Sequence, residues 1–226
     1  MTVSKILQAA ASSSGGSATG LDVDDVFSIY LYEGNNSTQT ITNNIDLSGK
    51  GGLVWIKSRD QSRSNMLYDT ERGVQKRLSS NLVNAETTDS TSLTAFNSNG
   101  WTMNNLAEIN GNEDYVSWTF REAPKFFNAV TYTGNGTSQN INHSLGSVPG
   151  MIIVKRYDAG SENWAVYHRK LNSGTNPETK YIRLNLTSAE TANTGYWNDT
   201  APTSTHFTVG ANGAVNNNGG TYVAYL

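Results

Sequence analysis

At 226 residues, with 36% hydrophobic and 15% charged side chains, the chain is long enough for one large β domain or two small ones. It has no cysteine, which excludes a disulfide framework and a thiolate metal site, and its net charge of -3 with scattered Lys and Arg excludes the electrostatic footprint of a nucleic-acid binder. No apolar run approaches the roughly 18 to 20 residues that span a bilayer, and the start lacks the long apolar segment of a signal peptide, so neither a membrane nor the general secretory route is expected.

Residues 4–11 read as a short helix, with Ile6, Leu7 and Ala10 at helical spacing. The Ser- and Gly-rich stretch 12–20 that follows reads as a flexible linker. Residues 1–21 are therefore expected to form an attachment arm, with Ile6, Leu7 and Ala10 as its assembly contacts. Asp22, Asp24 and Asp25 cluster before the first strand, but without an Asp-x-Asp-x-Asp-Gly loop or a bidentate Glu they read as a solvated strand entrance, not as a calcium site.

Beyond residue 22 the chain repeats itself with a period of about a hundred residues. Tyr32, Gly34 and Asn35 match Tyr132, Gly134 and Asn135, and Gly52-Leu53-Val54-Trp55-Ile56-Lys57 matches Gly150-Met151-Ile152-Ile153-Val154-Lys155. Gly100-Trp101-Thr102-Met103 falls on His206-Phe207-Thr208-Val209, and Tyr115 falls on Tyr222. The offset drifts only in Gly-, Asn- or Ser-rich segments, so length changes sit in loops and the matched blocks are strands. Repeats at 22–122 and 123–226 follow, joined near Pro124, which cannot donate to a sheet ladder. The fold class is all-β: two tandem jelly-roll-like β-sandwich units, with one merged jelly roll as the alternative.

The continuous apolar runs at 53–56 and 151–154 suit strands buried on both faces. Alternation in 181–186 predicts Ile182, Leu184 and Leu186 inward.

Asp69 and Glu71, two apart on a predicted strand, are the one candidate acid pair. They have no counterpart in the second repeat, where Tyr167-His168-Arg169 stands, so the bland reading is a strand end with a local ion pair. His143, His168 and His206 form no zinc spacing, and neither a nucleophile elbow nor a phosphate loop occurs, so no catalytic residue, metal or cofactor is expected. What remains is aromatic and amide-rich surface, a combination that grips sugars by stacking and planar hydrogen bonding. Trp197, in the loop-like Thr194-Gly195-Tyr196-Trp197-Asn198-Asp199, reads as the ring least suited to the core. The candidate ligand-binding set is Trp197, Asn198, Asp199, His168 and Arg169.

The blocks Asp24-Asp25-Val26-Phe27, Tyr30-Leu31-Tyr32-Glu33-Gly34-Asn35, Asp69-Thr70-Glu71-Arg72-Gly73, Pro124-Lys125-Phe126-Phe127, Leu145-Gly146-Ser147-Val148-Pro149-Gly150 and Trp197-Asn198-Asp199-Thr200 resemble those of a group of virion-associated proteins of tailed bacteriophages, marine and cyanobacterial phages among them. The resemblance implies a structural component of the virion surface, in a tail fibre, tail tip or capsid decoration, assembled in the host cytoplasm. It further implies a homo-oligomer such as a trimer; the leash after Ala11 adds the expectation of contacts to other virion proteins through the N-terminal arm, and the aromatic, amide-rich surface that of a host surface glycan as ligand. It carries over no catalytic residue. The rival reading is a tail depolymerase that cleaves polysaccharide with Asp69 and Glu71.

Overall fold

A computed structural model describes residues 20–226, so the predicted arm contacts Ile6, Leu7 and Ala10 lie outside the described residues. The first half runs through β1 (Phe27–Glu33), β2 (Gln39–Thr42), β3 (Gly52–Ser58), β4 (Met66–Asp69), β5 (Lys76–Ser79) and β6 (Thr87–Thr88). It ends with β7 (Leu93–Asn97), β8 (Gly100–Met103), the one-turn helix α1 (Ala107–Asn110) and β9 (Asp114–Arg121). The second half follows with β10 (Ala129–Thr133), β11 (Gln139–Asn142), β12 (Met151–Arg156), β13 (Ala165–His168), β14 (Lys180–Arg183) and β15 (Thr191–Ala192). Its closing elements are α2 (Thr194–Trp197), β16 (His206–Val209), α3 (Gly213–Asn216) and β17 (Thr221–Tyr225).

Each half contains one large antiparallel sheet, ordered β1-β9-β3-β4-β5-β6 and β10-β17-β12-β13-β14-β15, faced by a small sheet, β2-β8-β7 or β11-β16. Element by element the two orders are the same. Between large and small sheet lies a core: Val54, Ile56, Tyr68 and Trp101 with their neighbours in the first half, and Ile152, Val154, Tyr167 and Phe207 in the second.

The duplication extends to individual side chains. Tyr32 stacks on Tyr115 at 5.2 Å and 14°, and Tyr132 stacks on Tyr222 at 5.0 Å and 14°. Each first-named ring meets a second aromatic edge-on, Trp101 or Phe207. Asn110 and Asn216, both fully buried, each accept the backbone N–H of Asn35 or Asn135 at 2.9 Å. Their amides donate to the carbonyls of Asn104 and Gly210 at 2.8 Å, so one buried amide stitches three loop segments together in place of water. The matched glycines have a steric reason: a Cβ on Gly34 would lie 1.8 Å from the Gly111 carbonyl oxygen, and one on Gly134 2.3 Å from that of Asn217.

A third core joins the halves. The outer faces of the two large sheets meet through Leu53, Leu67 and Leu78 on one side and Ile153, Trp164, Val166 and Tyr225 on the other. This is why 53–56 reads as an uninterrupted apolar run: Leu53 and Trp55 face the other half while Val54 and Ile56 face their own small sheet. The architecture is thus two sandwiches sharing an apolar seam. Trp164 anchors the seam, donating its indole N–H to the carbonyls of Ser79 and Leu82 at 3.0 and 3.1 Å.

Three face assignments need correction, the first being Met151, which opens β12 at 46% exposure where a strand buried on both faces was expected. Ile182 packs into the seam, but Leu184 and Leu186, expected inward, are 36% and 47% exposed. The strand ends at Arg183, so the alternation that continues in the sequence no longer has a pleat to follow.

Candidate functional site

The seam closes over the middle of the large sheets and gapes at one end, leaving a cavity of about 600 Å³. Its walls come from Leu53 and Trp55 of β3, Phe120 of β9, Ile153 of β12 and the linker rings Phe126 and Phe127. The linker is placed by a tight turn in which Ala123 and Phe127 form a β-bridge and Lys125 takes a left-handed conformation with φ 65°. Phe127 then packs between Phe120 and Tyr225, with ring centroids 5.5 and 6.3 Å away. An adjoining groove of about 510 Å³, lined by Asn65, Ser80, Asn81, Asn185 and Thr187, shares Trp55 and Leu184 with the cavity, so the two are neighbouring parts of one cleft.

Among the predicted ligand-binding residues, His168 and Arg169 line this cleft. They stand at the end of β13, where the Met151–His168 pairing places His168 opposite the first residue of β12. His168 Nδ1 accepts the Lys170 N–H at 3.2 Å, which assigns the proton of the neutral ring to Nε2. Lys125 joins them on the wall. Among the described residues, no Asp or Glu side chain lines either part of the cleft.

Trp197, Asn198 and Asp199 are elsewhere, and the reading of Trp197 as a surface ring is corrected: it is 2% exposed and meets Tyr167 edge-on at 6.1 Å in the second core. Asn193 caps the one-turn α2 by accepting the Gly195 N–H at 2.9 Å, and the turn swings Trp197 inward. Asn198 and Asp199, with φ 52° and 46°, terminate that turn and face solvent. A capping Asn four residues before the Trp was the available signal; the Gly and Asn content of the segment masked it.

Asp69 and Glu71 do not share a cleft. Asp69 is fully buried beside the Arg72 guanidinium at 2.7 Å and accepts the Tyr225 hydroxyl at 2.6 Å, whereas Glu71 stands exposed on the turn that follows. Burial works against the Arg72 charge, but Asp69, with Tyr225 and Glu86, holds its pKa above the ordinary value. Burial, reinforced by the Asp69 charge, pushes the Tyr225 phenol up in turn. The node is a structural tie between the halves, with Glu86 as its outer member at 3.1 Å from Arg72.

The residues that sequence reasoning missed are Trp55, Lys125 and Phe126. Trp55 sits on the opposite face of β3 from Val54 and Ile56, a parity the sequence displays but cannot assign to a cleft. The pair Phe126-Phe127 in a linker was the other legible signal, because a connecting segment has no core of its own in which to bury two rings.

These features define an all-β double sandwich with a ligand-sized cleft between its units. The chain belongs to the family described as a domain of unknown function, DUF7483, whose model matches residues 22–226. None of the curated proteins compared with it matches.

Proposed function

We propose that this chain is a non-catalytic structural component of a tailed-bacteriophage particle, displayed on the virion surface and working as a homo-oligomer. The particle assignment rests on the sequence resemblance. The self-association rests on one observation: the edge strand β1 presents Ile29 and Leu31 at 60% and 55% exposure, in line across the sheet with Trp118 and Val116. Exposed apolar side chains on a rigid sheet face mark an interaction surface, and an edge strand without Lys, Pro or a bulge is open to pairing.

The duplicated half supplies the contrast. The position matching Leu31 is Thr131, equally an exposed site on an edge strand, and it is polar. A second copy of β1 offers the same stripe, so a two-fold or cyclic contact buries it on both partners. The stacking platform sought at Trp197 has no part in this reading, and Asp69, locked in its ion pair, is not free to act as an acid or base.

Light-scattering mass measurement of the purified chain is expected to give an oligomer, and the double variant Ile29→Glu, Leu31→Lys a monomer with unchanged circular dichroism. A wild-type monomer at all accessible concentrations would sink the self-association. Absence of the chain from the peptides of purified virions would sink the particle assignment.

A further inference from the structure

We infer that the cavity between the two halves is a binding site for an organic carboxylate with an apolar body. Leu53, Trp55, Phe120, Phe126 and Ile153 form its walls, and its volume of about 600 Å³ is that of a small-molecule site. At the mouth Val148 and Met151 stay 58% and 46% exposed, so apolar surface continues outward where a ligand would enter. A purely aqueous occupant leaves these walls unsatisfied.

Charge decides the class of ligand. Lys125 and Arg169 line the cavity, and among the described residues neither makes an ion pair. Arg169 runs along Gly150, where a Cβ would lie 3.6 Å from its Nε, and the backbone N–H of Arg169 donates to the Gly150 carbonyl at 2.9 Å. His168 adds a ring N–H donor to the same wall. The backbone oxygen of Leu226, also on this wall, accepts the Asn128 N–H at 3.2 Å, and with no Asp or Glu among the described lining residues the side-chain lining is net cationic. A planar carboxylate suits the guanidinium fork and the ammonium, and its apolar body suits the rings. A sugar, rich in hydroxyls, would bring polar groups to a wall that offers few partners.

The test is calorimetric titration of the full chain with decanoate, kept below its micelle concentration, beside the neutral analogue decanol. The expected result is saturable binding of one decanoate per chain, with decanol at least about tenfold weaker, the loss associated with charge-assisted hydrogen bonds. The double variant Lys125→Gln, Arg169→Gln is expected to weaken decanoate about tenfold or more and to leave decanol unchanged. Met151→Asp, at an exposed position that tolerates it, is expected to weaken both ligands. Absence of saturable binding, equal affinities for the two ligands, or a double variant that binds decanoate like wild type would each overturn the site. Repeating the titration in the Ile29→Glu, Leu31→Lys chain separates this inference from the self-association, because decanoate binding is expected to survive there.

Discussion

Asp69 and Lys155 carry the most testable chemistry at the level of single residues, since both are charged groups taken wholly out of water. Removing one partner of a buried pair strands the other charge, at a cost of about 3 to 5 kcal/mol. Asp69→Ala is therefore expected to lower the urea midpoint by an amount equivalent to about 3 kcal/mol or more, while Glu71→Ala on the exposed turn stays within about 0.5 kcal/mol. Lys155 donates to the carbonyls of Val83 and Glu162 at 3.0 and 2.9 Å. Burial, only partly countered by Glu162, pushes its ammonium down to about 8 from the usual 10.5. Between those two values the unfolded chain holds a proton that the folded chain lacks, so stability rises with pH across that window and the penalty is fully present below it. Urea denaturation from about pH 8 to about pH 9.5 is expected to show this rise in wild type and to lose it in Lys155→Met. Above about pH 10 the direction reverses, because buried phenols such as Tyr225, held up by burial, ionise first in the unfolded chain.

At the scale of elements, the unit that repeats is a strand plan with its loop clamp. Asn110 and Asn216 hold equivalent loops through equivalent bonds, so Asn110→Ala and Asn216→Ala are expected to cost similar amounts, about 2 to 4 kcal/mol, as each leaves buried backbone groups unpaired. A large cost in one half and none in the other would mean that the shared geometry is not shared energetics. The plan was legible because strand parity, glycine spacing and aromatic positions are local properties: Tyr32, Gly34 and Asn35 predict their counterparts without reference to the rest of the chain. At Trp197 local reading failed because the element type had changed between copies. The first half has β7 at 93–97, whereas the second has the turn α2, and Trp197 enters the core from that turn.

For the whole molecule the seam is the deciding feature. Leu53, Leu67, Ile153, Val166 and Tyr225 belong to one apolar cluster that spans both halves, so the halves are expected to unfold in a single calorimetric transition. Trp164→Ala removes a fully buried indole and both of its hydrogen bonds across the seam, and is expected to cost about 3 to 5 kcal/mol and to split the transition in two. Two transitions already in wild type would show that the seam does not couple the units.

Taken alone, the order of residues determined the all-β class and pointed to the repeat and to most of the inward faces, because those depend on period-two alternation within a strand and on turn chemistry beside it. Only tertiary packing decided what became of the outward faces. Lys57 and Lys155 occupy matching places in β3 and β12, yet one is exposed and the other buried under the Val83 carbonyl. Asp69 and His168 end matching strands, yet one is sealed beneath Tyr225 and the other lines an open cleft. Matching positions meet different neighbours across the seam, and those neighbours come from chain segments about seventy to a hundred and sixty residues away, beyond the reach of any local pattern.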